Sequence, residues 1–296
     1  MKNIIKSLFG NDRKESDHSL TNTLDTISDV QISIPQDSST HQLSVGYCQS
    51  VGKLRDHNED ALLALSTVLT TGEELSNFGL FIIADGMGGH QHGEIASEVA
   101  IKTLAGYVTR KVLTPILSPK STQPQDSLQE IMREGMHEAH RVILRQAPGG
   151  GTTMTSLLLL GEQLTIAHVG DSRAYTINED GSLQCLTRDH SLVNRLIELG
   201  QLTIEEAANH PQRNVLYRAL GQSEPFEPDI QTLHLHQNRY LLICSDGLWG
   251  TISAADITRI ICESINPTLA CQKLVDAAND AGGPDNISTI LIRLPQ

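Results

Sequence analysis

Short blocks of hydrophobic residues alternate with polar turn residues from Leu43 to the end of the chain, and most of these blocks have the length of a β-strand. Apolar runs bounded by Gly, Asn, Asp or Pro are typical of strands. The predicted strands include residues 61–65, 81–84, 151–160, 164–169, 173–177, 183–186, 241–244 and 287–294. A tight turn at residues 161–163 and the Asp180-Gly181 pair join neighbouring runs as hairpins. We therefore expect most strands to pair antiparallel.

Longer segments with helical spacing separate the strand pairs. The predicted helices are residues 92–108, 127–146, 253–265 and 268–281. In the first of them the pattern places Ile95, Val99 and Leu104 on one face. Since the helices come in pairs rather than after every strand, the pattern predicts an α+β fold: a central antiparallel β-sandwich flanked by pairs of α-helices.

Two segments depart from this pattern. Residues 189–221 interrupt the hairpins, and Thr203-Ile204-Glu205-Glu206 matches the capping box that begins a helix. An insertion with its own helices is expected to form a flap over the working end of the sheets. Residues 1–41 are rich in Ser, Thr, Asp, Asn and Gln without an apolar period, which predicts a disordered leader before a domain of residues 42–296.

Four aspartates stand at the edges of apolar runs, namely Asp60, Asp85, Asp246 and Asp285. Strands that pack together would bring their ends, and these side chains, to one place. Carboxylates at one rim repel each other unless cations lie between them. The pattern predicts a binuclear site for Mg²⁺ or Mn²⁺, with the carbonyl oxygen of Gly86 as a further ligand.

Arg55 lies five residues before Asp60, and the intervening loop can bring both side chains into one pocket. A guanidinium beside a metal site is suited to holding a phosphate with two parallel hydrogen bonds. The alternative is an ordinary surface salt bridge to Asp56 or Glu59.

Two further segments at strand ends, Gly151-Thr152-Thr153 and Gly170-Asp171-Ser172-Arg173, are expected to form hydrogen bonds that fix the loops around the metals.

Composition narrows the range of partners. The net charge of −13 argues against nucleic acid and anionic membranes as partners, because both repel an acidic surface. The five cysteines are scattered and never spaced as Cys-x-x-Cys, which argues against a zinc site or a disulfide framework. No segment has the length of a transmembrane helix. We expect a cytoplasmic monomer in a reducing compartment.

Taken in their order along the chain, the motifs resemble those of the metal-dependent protein phosphatases of the 2C (PPM) type over about residues 43–294. The resemblance depends on residues 52–60, 84–90, 151–153, 168–173, 214–221, 244–249 and 283–286. Met87 and the flap resemble the bacterial members.

The resemblance implies a metal-dependent serine/threonine phosphoprotein phosphatase with two Mg²⁺ or Mn²⁺ ions. By motif position, Asp60, Asp85, Asp246 and Asp285 would supply metal carboxylates and Gly86 its carbonyl. Arg55 would bind the phosphate of phosphoserine or phosphothreonine, and Glu59 and Asn286 would support the metal ligands from behind. A water activated by the cations would then attack phosphorus in line. The partners would be phosphorylated proteins, the substrates of a serine/threonine kinase.

Two departures from the family pattern leave alternatives open. Met87 stands where eukaryotic members have a histidine that is a proposed general acid, so a water or a nearby histidine would have to protonate the leaving group. Residues 147–150 lack the aspartate that in many members binds a third metal, so a third ion stays in question. The competing hypotheses are a pseudophosphatase that binds phosphoproteins without turnover and a two-metal hydrolase of small phosphoesters.

Overall fold

The predicted hairpins form two antiparallel β-sheets. The computed structural model describes residues 42–71, 74–88, 91–118, 124–178, 180–222, 225–235 and 238–295, so the predicted leader lies outside the described residues. In spatial order, the first sheet consists of β1 (Ser44–Ser50), β11 (Ile287–Arg293), β10 (Asn238–Cys244), β7 (Arg173–Asn178) and β8 (Leu183–Cys185). The second consists of β2 (Asp60–Thr71), β3 (Glu74–Met87), β5 (Met154–Leu160), β6 (Gln163–Val169) and β9 (Asp229–His234), with β4 (Gly151–Thr152) paired to the end of β3.

The two sheets pack face to face, and their strands are apolar on both faces. Phe81 and Ile83 of β3 lie in the core between the sheets, together with Ile243 of β10. The alternate residues Leu80 and Ile82 point to the opposite side of β3 and pack against helices. Burial of both faces explains why these strands are continuous apolar runs.

Helices cover the outer face of each sheet. On the second sheet lie α1 (Gln91–Val108), a π-helical turn (Thr109–Leu113), α2 (Thr114–Leu117) and α3 (Leu128–Gln146). On the first sheet lie α6 (Asp246–Trp249), α7 (Ala254–Glu263) and α8 (Pro267–Asp280). This arrangement confirms the α+β sandwich. None of the helices in the described part of the chain is long and apolar enough to span a bilayer.

One detail of the helix prediction was wrong. Ile95 of α1 is 39% exposed, whereas Ala96, Ala100 and Leu104 form the buried face of this helix. Small residues let α1 approach β3 and α3 closely, and the helix therefore turns its alanine face, rather than Ile95, to the core.

The segment between β8 and β9 contains the two short helices expected of the flap. They are α4 (Leu192–Glu198) and α5 (Ile204–Ala208), and the capping box between Thr203 and Glu206 is present. The segment returns to the sheets where Leu220 exchanges two backbone hydrogen bonds with Thr152, at 3.0 and 2.9 Å.

Candidate active site

The register of the second sheet places two of the four aspartates side by side. Asp60 begins β2 and is directly opposite Asp85 on β3. Oδ2 of Asp60 accepts hydrogen bonds from the hydroxyls of Ser245 and Ser288, at 2.9 and 2.6 Å. Ser245 directly follows β10 and Ser288 lies in β11, and both strands belong to the first sheet. These bonds therefore join the ends of the two sheets at one point.

The other two aspartates lie at the same end. Asp246 is the first residue of α6, and Asp285 precedes β11. A cleft of about 440 Å³ opens there, and its lining includes every predicted site residue except Asp60: Arg55, Glu59, Asp85, Gly86, Asp246, Asp285 and Asn286. Asp60 is buried, and its carboxyl interacts electrostatically with those of Asp246 and Asp285. Asn214 and Leu216 of the flap also line the cleft, so the flap contributes to its wall as expected.

The carboxylates of this cleft are strongly destabilised by their surroundings. Burial raises the pKa of Asp60 to about 7 and that of Asp246 to about 6, and neighbouring aspartates add to both shifts. Burial, followed by the charge of Asp60, also raises the pKa of Asp85 well above its usual range. Burial and mutual repulsion therefore disfavour the ionised form of these carboxylates, and a positive partner would favour it.

Among the described residues, two buried carboxylate oxygens have no hydrogen-bond partner, namely Oδ1 of Asp60 and Oδ1 of Asp246. Buried acceptors without partners are rare because each costs about 1–3 kcal/mol. Hard divalent cations bind carboxylate oxygens, so this donor set fits Mg²⁺ or Mn²⁺. Among the described segments, no three Asp, Glu, His or Cys side chains are already close enough together to hold a metal ion, so the donor set is open. An open set of this kind suits cations that keep several water ligands.

Gly86 lies where no side chain fits. A Cβ atom at this position would be 2.3 Å from the carbonyl oxygen of Gly93 and 2.6 Å from that of Glu59. The N–H of Gly86 donates to the Glu59 carbonyl at 3.1 Å, which holds the start of β2 against the end of β3. The glycine therefore permits the close backbone approach found at this wall of the cleft.

Asn286 and Glu59 fix the loop that carries Arg55. Oδ1 of Asn286 accepts from the N–H of Glu59 at 2.8 Å, and Nδ2 donates to the carbonyls of Val51 and His57 at 2.8 and 3.0 Å. Oε1 of Glu59 lies 3.0 Å from Nε2 of His57. These contacts position the loop behind the aspartates, which is the arrangement expected for supporting residues.

Arg55 pairs with an aspartate of the cleft rather than with its sequence neighbours. Its Nη2 donates to Oδ2 of Asp285 at 2.7 Å. The alternative of a surface salt bridge to Asp56 or Glu59 is therefore wrong. The guanidinium stands at the wall of the cleft, beside the carboxylates.

The threonines that follow Gly151 hold Asp85 in place. The carbonyl of Asp85 accepts from the hydroxyl of Thr152 at 2.9 Å and from the N–H of Thr153 at 2.8 Å. The N–H of Asp85 donates to the Thr153 hydroxyl at 3.0 Å, and this hydroxyl contacts that of Ser172 at 2.7 Å. These bonds confirm the structural role that was predicted for both strand-end segments.

Asp171 is a further carboxylate of the cleft that the sequence analysis placed only in a supporting loop. It is buried, it lines the cleft, and its pKa is raised to about 8 by burial and by the charge of Asp246. Its position at the edge of an apolar run, between β6 and β7, is the same signal that identified the other four. Asp171 thus adds carboxylate oxygens next to Asp246 although residues 147–150 contain no acid.

Comparison with known proteins agrees with this geometry. The family model of protein phosphatase 2C matches residues 45–287. The chain is similar to the protein phosphatase PhpP of Streptococcus pneumoniae, with 39% identity over 73% of this chain and 85% of that protein. It is also similar in structure to the serine/threonine phosphatase PstP/Ppp of Mycobacterium tuberculosis, with a TM-score of 0.71 and 30% identity over 86% of this chain and 99% of that one.

A third similar structure is the catalytic domain of the serine/threonine phosphatase PstP in complex with two manganese ions. It has a TM-score of 0.67 and 28% identity over 85% of this chain and 99% of that one. The family match and the coverage of these relatives confirm the resemblance found in the motifs. The chain therefore belongs to the protein phosphatase 2C family of serine/threonine protein phosphatases.

Proposed function

We propose that this chain hydrolyses phosphoserine and phosphothreonine in proteins with the help of two divalent cations, Mn²⁺ or Mg²⁺, held in the cleft. The observation that carries this proposal is the meeting of Asp60, Asp85, Asp246 and Asp285 at one end of the sandwich, with Arg55 bonded to Asp285. We place the phosphatase domain at residues 42–296.

The four carboxylates and the carbonyl of Gly86 would hold the cations, which would also give a partner to the buried Oδ1 atoms of Asp60 and Asp246. When bound, such a metal pair supplies a water nucleophile at neutral pH and neutralises charge on the phosphoryl group. Glu59 and Asn286 would keep the loop before β2 in place, because Asn286 binds the backbone of Glu59. A loop fixed in this way holds its ligands within the small tolerance that catalysis needs.

Arg55 would bind the phosphate of the substrate. Its guanidinium carries five N–H donors, and only one of its nitrogens bonds to Asp285. Donors aimed at the phosphoryl oxygens stabilise the charge that develops there during in-line displacement. Met87 has no proton to give to the departing serine or threonine oxygen, whereas the imidazole of His57 lines the same cleft and can supply one.

The test is Mn²⁺-dependent hydrolysis of a phosphothreonine peptide by the full chain and by Asp246→Asn. We expect the variant to lose roughly 10²- to 10³-fold in kcat, because one buried carboxylate charge is removed from the metal site. Asp126→Asn is the matched control, since Asp126 is half exposed and pairs with Lys111 outside the cleft. Unchanged activity of Asp246→Asn would refute the assignment.

The same assay separates the competing hypotheses. A pseudophosphatase would bind Mn²⁺ and a phosphopeptide without releasing phosphate, and the complete set of cleft carboxylates argues against it. A small-molecule phosphoesterase would hydrolyse nucleotides faster than phosphopeptides. We expect phosphopeptides to be the better substrates, with activity lost in chelator.

A further inference from the structure

His190, at the start of the flap, forms hydrogen bonds with both backbone groups of Gly170, its carbonyl and its N–H. Its backbone N–H donates to the carbonyl of Gly170 at 2.7 Å. The N–H of Gly170 in turn donates to Nδ1 of the His190 ring at 3.1 Å. The side chain of His190 is 1% exposed, so the ring cannot exchange this partner for bulk water.

This contact determines where the ring carries its proton. A nitrogen that accepts a hydrogen bond from a backbone N–H must present its lone pair, so the proton of the neutral ring is on Nε2. Nε2 lies 3.2 Å from Oδ2 of Asp229 on β9, and this oxygen accepts the hydrogen bond from the Nε2–H group. A doubly protonated ring would direct an N–H at the N–H of Gly170 and lose that bond.

Asp229 is itself held as a carboxylate. Its Oδ1 accepts from Nη1 of Arg218 at 2.7 Å. The hydrogen bond from His190, followed by the charge and the hydrogen bond of Arg218, lowers the pKa of Asp229 to about 2. The other groups that face the ring are Arg218, whose Nη1 is 3.4 Å from Nε2, and the rings of His168 and Tyr217, at centroid distances of 5.0 and 5.6 Å.

Gly170 leads directly into the cleft. Its φ of +105° belongs to the left-handed region, and a Cβ atom there would lie 2.5 Å from Cβ of Thr153. The next residue, Asp171, is the cleft carboxylate identified above, and its carbonyl accepts from Nε1 of Trp249 at 3.0 Å. His190 and Trp249 therefore hold the Gly170-Asp171 peptide from two sides.

We propose that His190 is a positioning residue: Asp229 keeps its ring in the Nε2–H form, and Nδ1 then fixes the Gly170-Asp171 loop so that the Asp171 carboxylate faces the metal cleft. This inference rests on the proposed function for its catalytic consequence, but the geometry of the loop can be measured separately. In other proteins a carboxylate holds a catalytic histidine in one ring form and one orientation. Here Asp229 would do the same for a histidine that holds a loop.

The test compares two substitutions of the same side chain in the full chain. His190→Asn keeps an acceptor at the position of Nδ1, because Oδ1 of asparagine is equally far along the side chain. His190→Gln keeps a polar group only at the position of Nε2. Trp249 is the single tryptophan of the chain, so its fluorescence emission reports on the Asp171 carbonyl that it binds.

We expect His190→Gln to shift the Trp249 emission and to raise the half-saturating Mn²⁺ concentration roughly 10-fold, in keeping with the loss of a residue that orients a metal site. The KM for a phosphothreonine peptide should change by less than about 2-fold, because the phosphate-binding Arg55 is untouched. His190→Asn should keep the wild-type emission and bind Mn²⁺ within about 3-fold of wild type, which is the rescue that a purely structural role of the ring would not produce.

His210→Gln is the matched control, since Nδ1 of His210 also accepts a backbone N–H, that of Gln212 at 3.2 Å, but within the flap. If His190→Gln does not fold, Asp229→Asn replaces it. Its amide can donate to Nε2 and favour the wrong ring form, so it should produce the same Mn²⁺ defect.

Two results would overturn the inference: wild-type emission and Mn²⁺ binding in His190→Gln, or equal defects in His190→Asn and His190→Gln. Absence of phosphatase activity in the wild type would refute the proposed function alone, because emission and Mn²⁺ binding would still decide the role of His190.

Discussion

Nη2 of Arg55 donates to Oδ2 of Asp285 at 2.7 Å, although the two residues are 230 positions apart in the chain. The pair brings a cation from the loop before β2 to a carboxylate before β11, at the wall of the cleft. Both side chains are partly exposed, at 51% and 28%, so the pair contributes little to stability. Its consequence is positional, since it holds the guanidinium at the wall of the cleft, where we propose that phosphate binds.

Arg55→Gln should therefore raise the KM for a phosphothreonine peptide by about 10- to 100-fold, which corresponds to loss of one charge-assisted hydrogen bond. The half-saturating Mn²⁺ concentration should change far less, because the four carboxylates remain. Initial rates over a range of peptide concentrations at saturating Mn²⁺ give the comparison. Arg133→Gln, on the exposed side of α3, is the control, and an unchanged KM in Arg55→Gln would contradict the assigned role.

Ser288→Ala should weaken metal binding through Asp60. The Ser288 hydroxyl donates to Oδ2 of Asp60 at 2.6 Å, and its loss leaves that oxygen with Ser245 alone. We expect Mn²⁺ affinity to fall about 10-fold, with activity restored at high Mn²⁺. Isothermal titration calorimetry measures the affinity directly.

Ser156→Ala is the matched control for that variant, because Ser156 is a buried strand serine whose hydroxyl donates to the carbonyl of Ala167 away from the cleft. Equal Mn²⁺ affinities for Ser288→Ala and Ser156→Ala would show that the serine does not orient Asp60.

Gly86→Ala should disrupt the cleft by overpacking. The added methyl group would meet two backbone carbonyls at 2.3 and 2.6 Å, which cannot move as a flexible side chain would. We expect a loss of about 1–3 kcal/mol in the free energy of unfolding together with loss of Mn²⁺-dependent activity. Gly106→Ala on α1 meets only the end of the Arg110 side chain, at 3.3 Å, and should leave stability equal or higher. Urea denaturation of both variants checks this, and a fully stable, active Gly86→Ala would contradict it.

His168 predicts a specific pH dependence of stability. Burial, and then the proximity of His190, lowers its pKa to about 3 from an ordinary 6.5, so the ring stays neutral in the folded protein. Below pH 6.5 the His168 ring binds a proton in the unfolded chain but stays neutral in the folded chain. The free energy of unfolding therefore decreases as pH falls from 6.5 toward 3. By pH 5 the cost is about 2 kcal/mol.

His168→Gln lacks this titration, and the acidic cleft residues are the same in both proteins, so their contribution cancels in the difference. The free energies of unfolding of wild type and His168→Gln, measured between pH 7.5 and 5, should converge as pH falls. Parallel curves would show that His168 is not the neutral buried group described here.

Local patterns were enough to predict the central strands and the long helices, but not the strands β1 and β9. Strand length, the Asp-Gly and Gly-containing turns, and the serine and threonine caps depend on a few adjacent residues, and the hairpins and helix pairs appeared where expected. The face of α1 was predicted wrongly because it depends on close packing of Ala96 and Ala100, which no local apolar count favours over Ile95.

By itself, the sequence determined the fold class, the family motifs and the identity of the strand-end aspartates, because each of these depends on residues that are close together along the chain. Only the tertiary structure decided that Arg55 pairs with Asp285, that Ser245 and Ser288 bind Asp60, and that His190 binds the glycine next to Asp171. These contacts join segments far apart in the chain, and their partners are selected by the packing of two sheets against each other. Burial in that packing, rather than residue type, is also what raises the pKa values of the cleft carboxylates.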